Sequence, residues 1–376
     1  MISVIYPDIL VVGGGPAGLT ASLTAADAGA NVCLLERDDM LGGQLVKQTH
    51  MFFGSHREHA GTRGIDIADE LRTGVIKNKN IDIMLEATAQ GYYEDEILTA
   101  THQGEFKKIK AKKIIVATGA AEKMLPFPNN DLPGVYGAGA VQTLMNVYGV
   151  LPGEEVLMIG AGNIGLIVSY QLLQAGVEVS AVVEAAPRIG GYLVHASKIR
   201  RAGVPIYTGY SIKKALGREK VEGAVICELD EDWQYIPGTE KKLDVDTICL
   251  AVGLRPLADI LIQAGCEMAY VPELGGDVAV RDNNLKTSNG KFYVAGDVAG
   301  VEEATAAMLE GELASLSALI EMGLSPNECK KKREKVRKKL YDLRRGPVGR
   351  VIRDGLARSR GDQNAGKNRY SHIRGS

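Results

Sequence analysis

The chain has 376 residues, enough for two or three domains with sizeable cores, and its 45% hydrophobic and 24% charged residues with a formal net charge of -2 are those of a water-soluble globular protein. No run of eighteen apolar residues occurs, which excludes a membrane span, and the opening MISVIYPDILVV lacks a basic segment before its apolar stretch, so no secretory signal is expected. Five dispersed cysteines, Cys33, Cys227, Cys249, Cys266 and Cys329, form no CxxC, which argues against a disulfide framework, a zinc site or a dithiol redox centre within this chain and fits a reducing cytoplasm.

Glycine stands out, with 45 residues or about 12% against an average near 7%. The first cluster explains why. A strand is predicted over 9–12, and it runs into Gly13-x-Gly15-x-x-Gly18. A small-residue helix follows to about 29, then a second strand over 31–35 that ends in Glu36. Gly13 permits a tight turn, Gly15 lets the backbone approach a pyrophosphate, and Gly18 lets the helix pack on its strand. The helix start offers free N–H groups and a positive dipole end to phosphates, and Glu36 stands where a carboxylate accepts ribose hydroxyls.

A buried-looking strand, KIIVATG, is predicted over 113–119 and ends in Thr118-Gly119. The whole pattern then repeats. A strand over 156–159 meets Gly160-x-Gly162-x-x-Gly165, a helix reaches about 175, and a strand over 177–183 ends in Glu184. Glu184 should repel a ribose 2'-phosphate and so favour NAD(H) over NADP(H), although Arg188, four residues on, could bind that phosphate. A site that has lost its ligand, or that now holds ADP or ATP, is the alternative. TICLAVG, over 247–253, closes the second unit as KIIVATG closes the first. Near the end, a strand over 292–295 delivers Gly296-Asp297, and a long helix is predicted over 302–322.

Charge then changes sharply. From residue 327 onward there are 17 Lys and Arg against 5 Asp and Glu, so a boundary is placed near Ser325. Ser325 is expected to cap a helix with Pro326 in its first turn and Glu328 completing a capping box. Val336, Leu340 and Leu343 form a narrow apolar stripe, Gly346-Pro347 ends the helix, and Val348, Val351, Ile352 and Leu356 mark a second short amphipathic stretch. The tail reads as a solvated basic helix or as a docking surface for an acidic partner, with the stripe as its anchor. No RNA-binding motif or aromatic interleaving supports nucleic acid.

GGGPAG, the ATG segment, GAGNIG and YVAGD, in this order and spacing, resemble the two-dinucleotide-binding-domain flavoproteins, the thioredoxin and glutathione reductases and their relatives. The resemblance covers about residues 5–323. It implies FAD in the first unit and a pyridine nucleotide in the second. It also implies that Gln44, in Gly42-Gly43-Gln44-Leu45, lies close to the flavin, and that Asp297 binds a ribityl hydroxyl. The cysteine pairs of both reductases are missing, and the tail leaves no room for a dimerisation domain with a catalytic His-Glu pair. PGVYGAGAVQTLMN (133–146), VVEAAPRIGG (182–191) and the segment 221–256 bring the chain nearer to FAD subunits of multisubunit dehydrogenases. Examples are those of opine oxidase, hydrogen cyanide synthase and dye-linked L-proline dehydrogenase, and the flavoprotein beside anaerobic glycerol-3-phosphate dehydrogenase. Several such relatives carry a cysteine cluster for an iron–sulfur centre near the C-terminus. This tail has only Cys329, which would put such a cluster on another subunit.

The expectation is therefore an α/β chain of two nested Rossmann-like domains with a basic helical tail. FAD would occupy residues 1–119 and 254–325, NAD(H) or another adenine nucleotide the inserted 120–253, and the tail would be 326–376. The FAD set is Gly13, Gly15, Pro16, Ala17, Gly18, Glu36, Arg37, Gly43, Gln44, Ala89, Thr118, Gly119, Gly296 and Asp297. The second set is Gly160, Gly162, Asn163, Gly165, Glu184 and Gly253. His50, His56 and His59 have metal-like spacing, but only Glu58 stands near to complete a site, so no metal is expected; His50 follows the GGQ segment and is a candidate for proton handling at the flavin. The function expected is electron transfer within a hetero-oligomeric amine, amino-acid or glycerol-3-phosphate dehydrogenase, with a flavin- or iron–sulfur-containing partner subunit. The alternatives are a free-standing NAD(P)H-dependent reductase of a small protein or quinone, and a scaffold subunit with a structural ADP or ATP in the second nucleotide site.

Overall fold

The computed structural model describes residues 4–52, 58–346 and 349–360. Its backbone contacts separate two units, Met1–Ala121 with Arg255–Ser376, and Glu122–Leu254.

The first unit is built on a five-stranded parallel sheet. Its strands lie in the order Phe292–Val294, Lys113–Val116, Ile9–Val12, Val32–Leu35, Ile81–Met84. ILVV and VCLL are buried at every position, as continuous apolar runs are when both sheet faces are covered. One cover is α1 (Pro16–Asp27), rich in alanine and threonine. α2 (Gly64–Lys77) packs against α1. A smaller sheet of the same unit runs in the order Val4–Ile5, Glu105–Ile109, Leu98–His102, Ala87–Tyr92. Strand order reverses between Ile9–Val12 and Lys113–Val116, and such a reversal opens a crevice at the carboxyl ends of the two strands.

The second unit repeats this plan. Its parallel sheet runs Val135–Gly137, Thr247–Leu250, Glu155–Ile159, Glu178–Glu184, Ile206–Thr208. Its helices are α3 (Ala138–Asn146), α4 (Asn163–Gln174) and α5 (Leu193–Arg201). An antiparallel three-stranded sheet, Tyr210–Leu216, Gly223–Glu228 and Lys241–Leu243, completes the unit. The reversal falls between Glu155–Ile159 and Thr247–Leu250. The α/β fold of two Rossmann-like halves expected from the repeated motif is thus present.

After the short α6 (Asp259–Gln263), the first unit ends in α7 (Ala304–Met322), α8 (Pro326–Arg344) and α9 (Arg350–Arg358). α7 is buried on nearly all sides because α1 lies on one flank and α8 on another. Gly311 lets α7 close on α1, since a Cβ there would lie 2.1 Å from the Ala17 carbonyl oxygen. The tail departs from its sequence reading. Val336 and Leu340, expected to anchor a partner, are 2% and 5% exposed within the chain's own core with Cys329, whereas Leu343 is 40% exposed. Leu356 of α9 is buried against Val271, Leu274 and Val278. Ser325 has a left-handed backbone and no capping bond, and Glu328 pairs with Lys332 at 2.9 Å instead of closing a capping box. Val348 lies outside the described residues. Lys330, Lys331, Lys335 and Lys338 keep the outer face of α8 basic and exposed.

Candidate nucleotide sites

Each glycine of the first loop has a distinct geometric reason. Gly13 has φ +109, and a Cβ on it would lie 2.3 Å from the carbonyl oxygen of Ala117, just past the neighbouring strand across the crevice. Gly18 must be bare because a Cβ would sit 1.8 Å from the Gly13 carbonyl oxygen. Gly15 is different. It has ordinary extended dihedrals as the N-cap of α1, and its Cβ would meet only the Gly43 Cα at 3.9 Å. Space is left open in front of a helix N-terminus whose first residue, Pro16, has no N–H to satisfy. Ala17 is buried behind it.

Glu36 closes the loop from the next strand. It is buried, and its Oε2 accepts the Gly14 N–H at 2.6 Å while Oε1 accepts the Asp38 N–H at 2.9 Å. The Arg37 side chain is exposed and sits 3.5 Å from Asp38. The Gly42 N–H donates to the Gly14 carbonyl at 2.8 Å, and a Cβ on Gly43 would come 2.8 Å from the Gly15 Cα. Gln44 is exposed just beyond. Ala89 is half-buried, two residues after Ala87, whose N–H donates to the Glu36 carbonyl at 2.8 Å. Thr118 donates its hydroxyl to the Leu257 carbonyl at 2.7 Å, and Gly119 has φ +74. His50 is half-buried, with its ring stacked on Phe52 at 6.1 Å. His56 lies outside the described residues, and His59 lies 3.8 Å from Glu70. Among the described residues no group of three or more His, Cys, Asp or Glu could hold a metal ion.

Gly296 and Asp297 reach the same place from the end of the chain. Gly296 has φ +75, and a Cβ there would be 3.0 Å from the Ala17 Cβ. Three side chains that the sequence did not single out surround this turn. Glu310 Oε2 accepts the Gly296 N–H at 3.0 Å, the Glu302 N–H donates to Asp297 Oδ1 at 3.3 Å, and Arg344 binds both glutamates. Burial raises the Asp297 carboxyl to about 6; the Glu302 N–H opposes this, and the Glu310 and Glu302 carboxylates add to it. Below its ordinary value near 3.8 the group is neutral folded or unfolded. Above about 6 it is charged in both states and carries the full cost of burial in the fold, so stability is lost as pH rises through that window. Asp297→Asn is therefore expected to stabilise the ligand-free protein by about 1–2 kcal/mol at pH 8, with the gain fading toward pH 4. Melting curves of both proteins across that range are the check, and a gain that does not change with pH would contradict it.

The second unit copies the first. Gly160 has φ +108 and a Cβ on it would lie 2.3 Å from the Ala251 carbonyl oxygen; a Cβ on Gly165 would lie 2.0 Å from that of Gly160; one on Gly162 would meet nothing within 4 Å. Glu184 Oε2 accepts the Ala161 N–H at 2.8 Å and Oε1 the Ala186 N–H at 3.0 Å. Asn163 Oδ1 accepts the Tyr192 N–H at 2.9 Å, and Gly253 has φ +108. Arg188 is exposed. Gly191 donates its N–H to the Ala161 carbonyl at 2.9 Å, as Gly42 does to Gly14. A signal for this was present in the sequence. Gly42-Gly43 follows Glu36 by six and seven residues, and Gly190-Gly191 follows Glu184 by the same intervals, although the donor is the first glycine of one pair and the second of the other.

All five thiols are buried. Burial pushes Cys33 to about 12 and raises Cys249, Cys266 and Cys329, so these four groups, which would carry disulfide chemistry as thiolates, are held protonated.

Two glycine cradles, each with an open second glycine and a buried or half-buried acid at the end of the next strand, have the geometry of a dinucleotide-binding loop, present once in each unit. A model of the pyridine nucleotide-disulphide oxidoreductase family matches residues 7–311, and the chain belongs to that family. An opine oxidase subunit from Agrobacterium tumefaciens (strain Ach5) is 28% identical over 93% of this chain and 72% of its own length. The hydrogen cyanide synthase subunit HcnB of Pseudomonas protegens is 26% identical over 92% of this chain and 78% of its own length. Among solved structures, L-proline dehydrogenase from P. horikoshii is similar with a TM-score of 0.69 and 26% identity, over 89% of this chain and 60% of that one. The resemblance to subunits of opine oxidase and hydrogen cyanide synthase and to L-proline dehydrogenase is borne out. No helix among the described residues is long and apolar enough to cross a membrane.

Proposed function

We propose that the first unit holds FAD and the second NAD(H), and that the chain passes electrons between them as one subunit of an amine, amino-acid or glycerol-3-phosphate dehydrogenase. The observation that carries this is the open Cβ position at Gly15, repeated at Gly162, in loops where Gly13, Gly18, Gly160 and Gly165 are forced by backbone contact. The donor set fits the groups concerned. Each loop presents backbone N–H groups at a helix start to a pyrophosphate, and each acid keeps lone pairs for ribose hydroxyls after accepting two N–H bonds. Bound FAD would supply a hydride acceptor, which the protein positions and shields. Gly296 and Asp297, held against α1, would fix the ribityl chain. The relatives that are named as subunits support the assembly reading.

Glu184 favours NADH over NADPH by like-charge repulsion with a 2'-phosphate. Anaerobic mixing of the purified protein with each donor, followed by flavin absorbance, is expected to show reduction about tenfold or more faster with NADH. Equal or faster reduction by NADPH would overturn the preference. A tightly copurifying ADP or ATP with no reduction by either donor would replace it with a structural nucleotide.

A further inference from the structure

We propose that Arg344, the last residue of α8, is the positioning residue for the Gly296–Asp297 turn, so that the basic C-terminal helix is part of the flavin site. This rests on FAD occupying the first unit. The Arg344 guanidinium grips Glu302 with two nitrogens, Nε at 3.1 and 3.0 Å and Nη2 at 2.6 Å, and Nη2 also donates to Glu310 Oε1 at 2.7 Å. Each glutamate in turn belongs to the turn. The other oxygen of Glu310 holds the Gly296 N–H, and the main-chain N–H of Glu302 holds Asp297 Oδ1. One cation thus reaches Gly296 through Glu310 and Asp297 through Glu302. The three side chains are 11%, 15% and 4% exposed for Arg344, Glu302 and Glu310, so water cannot replace these bonds. α9 steadies the cation's own backbone, because Arg353 donates to the carbonyls of Arg344 and Gly346.

Removing Arg344 would leave Glu302, Glu310 and Asp297 close together in a buried space. The other charges acting there are Glu303, Arg281 and Arg360. Burial already raises Glu302 against the pull of Arg344. Without the Arg344 guanidinium, three carboxylates would face the single guanidinium of the buried Arg281, which drives the cluster to take up a proton or move apart, and either change releases the turn. Flavin binding should then become strongly pH-dependent, weak when the carboxylates are ionised and recovering as they protonate.

The experiment measures FAD affinity of full-length Arg344→Met, Arg344→Lys and the double variant Glu302→Gln/Arg344→Met against the parent at pH 8 and pH 6, with circular dichroism to confirm folding. Arg344→Met is expected to weaken FAD about tenfold or more at pH 8, with the gap to the parent narrowing to about threefold at pH 6. Arg344→Lys should lose less than Arg344→Met, and the double variant, which restores the local charge balance, should recover most of the pH 8 affinity. Folded Arg344→Met that binds FAD as tightly as the parent overturns the proposal. So does a loss that neither lower pH nor Glu302→Gln relieves, which would mark Arg344 as mere packing. A parent chain that takes up no FAD overturns the flavin reading itself, a result distinct from either of these.

Discussion

Gly15→Val is expected to give a folded protein that purifies without flavin colour, while Gly18→Val is expected not to fold to a stable state at all. The two positions lie three residues apart in one loop, and they differ in what a side chain would meet. At Gly15 the backbone is already in a region open to valine, and the new Cβ would have only the Gly43 Cα, at 3.9 Å, as a neighbour. The isopropyl group would fill the space proposed for the pyrophosphate. At Gly18 the Cβ would overlap the Gly13 carbonyl oxygen at 1.8 Å, and neither backbone can yield without pulling α1 off its strand. Overpacking of this kind costs ~1–3 kcal/mol where neighbours can shift, and more where they are backbone. Flavin absorbance and circular dichroism on the two variants are the measurement. A yellow Gly15→Val protein would remove FAD from this loop.

Truncation after Ser325 is expected to destabilise the chain severely, which reverses what the charge pattern alone suggests. A solvated tail could be removed without cost. Here the cut removes Val336 and Leu340 from the core shared with α7, at ~1.5–3 kcal/mol for each fully buried side chain. It also strips Glu302 and Glu310 of their guanidinium partner. Against a typical total of ~5–15 kcal/mol the loss is a large fraction, and at ~2–4 °C per kcal/mol the melting temperature should fall by about 10 °C or more. A truncated protein that melts within a few degrees of the full chain would show that α8 contributes little to the fold.

The two loops were legible in the sequence because their geometry is local. A positive φ at Gly13 or Gly160, or a carbonyl within about 2 Å of where a Cβ would stand, leaves glycine as the residue that fits, whatever the rest of the chain does. The tail was not legible for the opposite reason. A stripe of Val336 and Leu340 says that one face of α8 is buried, but not against what. A count of charges treats Arg344 like Lys338, although Arg344 meets a carboxylate 42 positions earlier in the chain and Lys338 meets Asp342 one helical turn away. α7 hid its role in the same way. Buried on nearly all sides between other helices, it shows no polar face by which its neighbours could be inferred. At Ser325 residue type pointed to a cap, and the left-handed backbone there removed it.

With the coenzymes proposed above, the pairing of each terminal acid with its own glycine loop would tie coenzyme choice to architecture. Glu184 takes the Ala161 and Ala186 N–H groups with its two oxygens, so on the function proposed above the selectivity group would also be a brace for the loop. Exchanging it for a residue that tolerates a 2'-phosphate would strip two backbone donors of their acceptor in the same stroke. Redesign of the coenzyme would therefore have to work around the acid, through exposed neighbours such as Arg188, and Glu36 imposes the same restriction on the other unit.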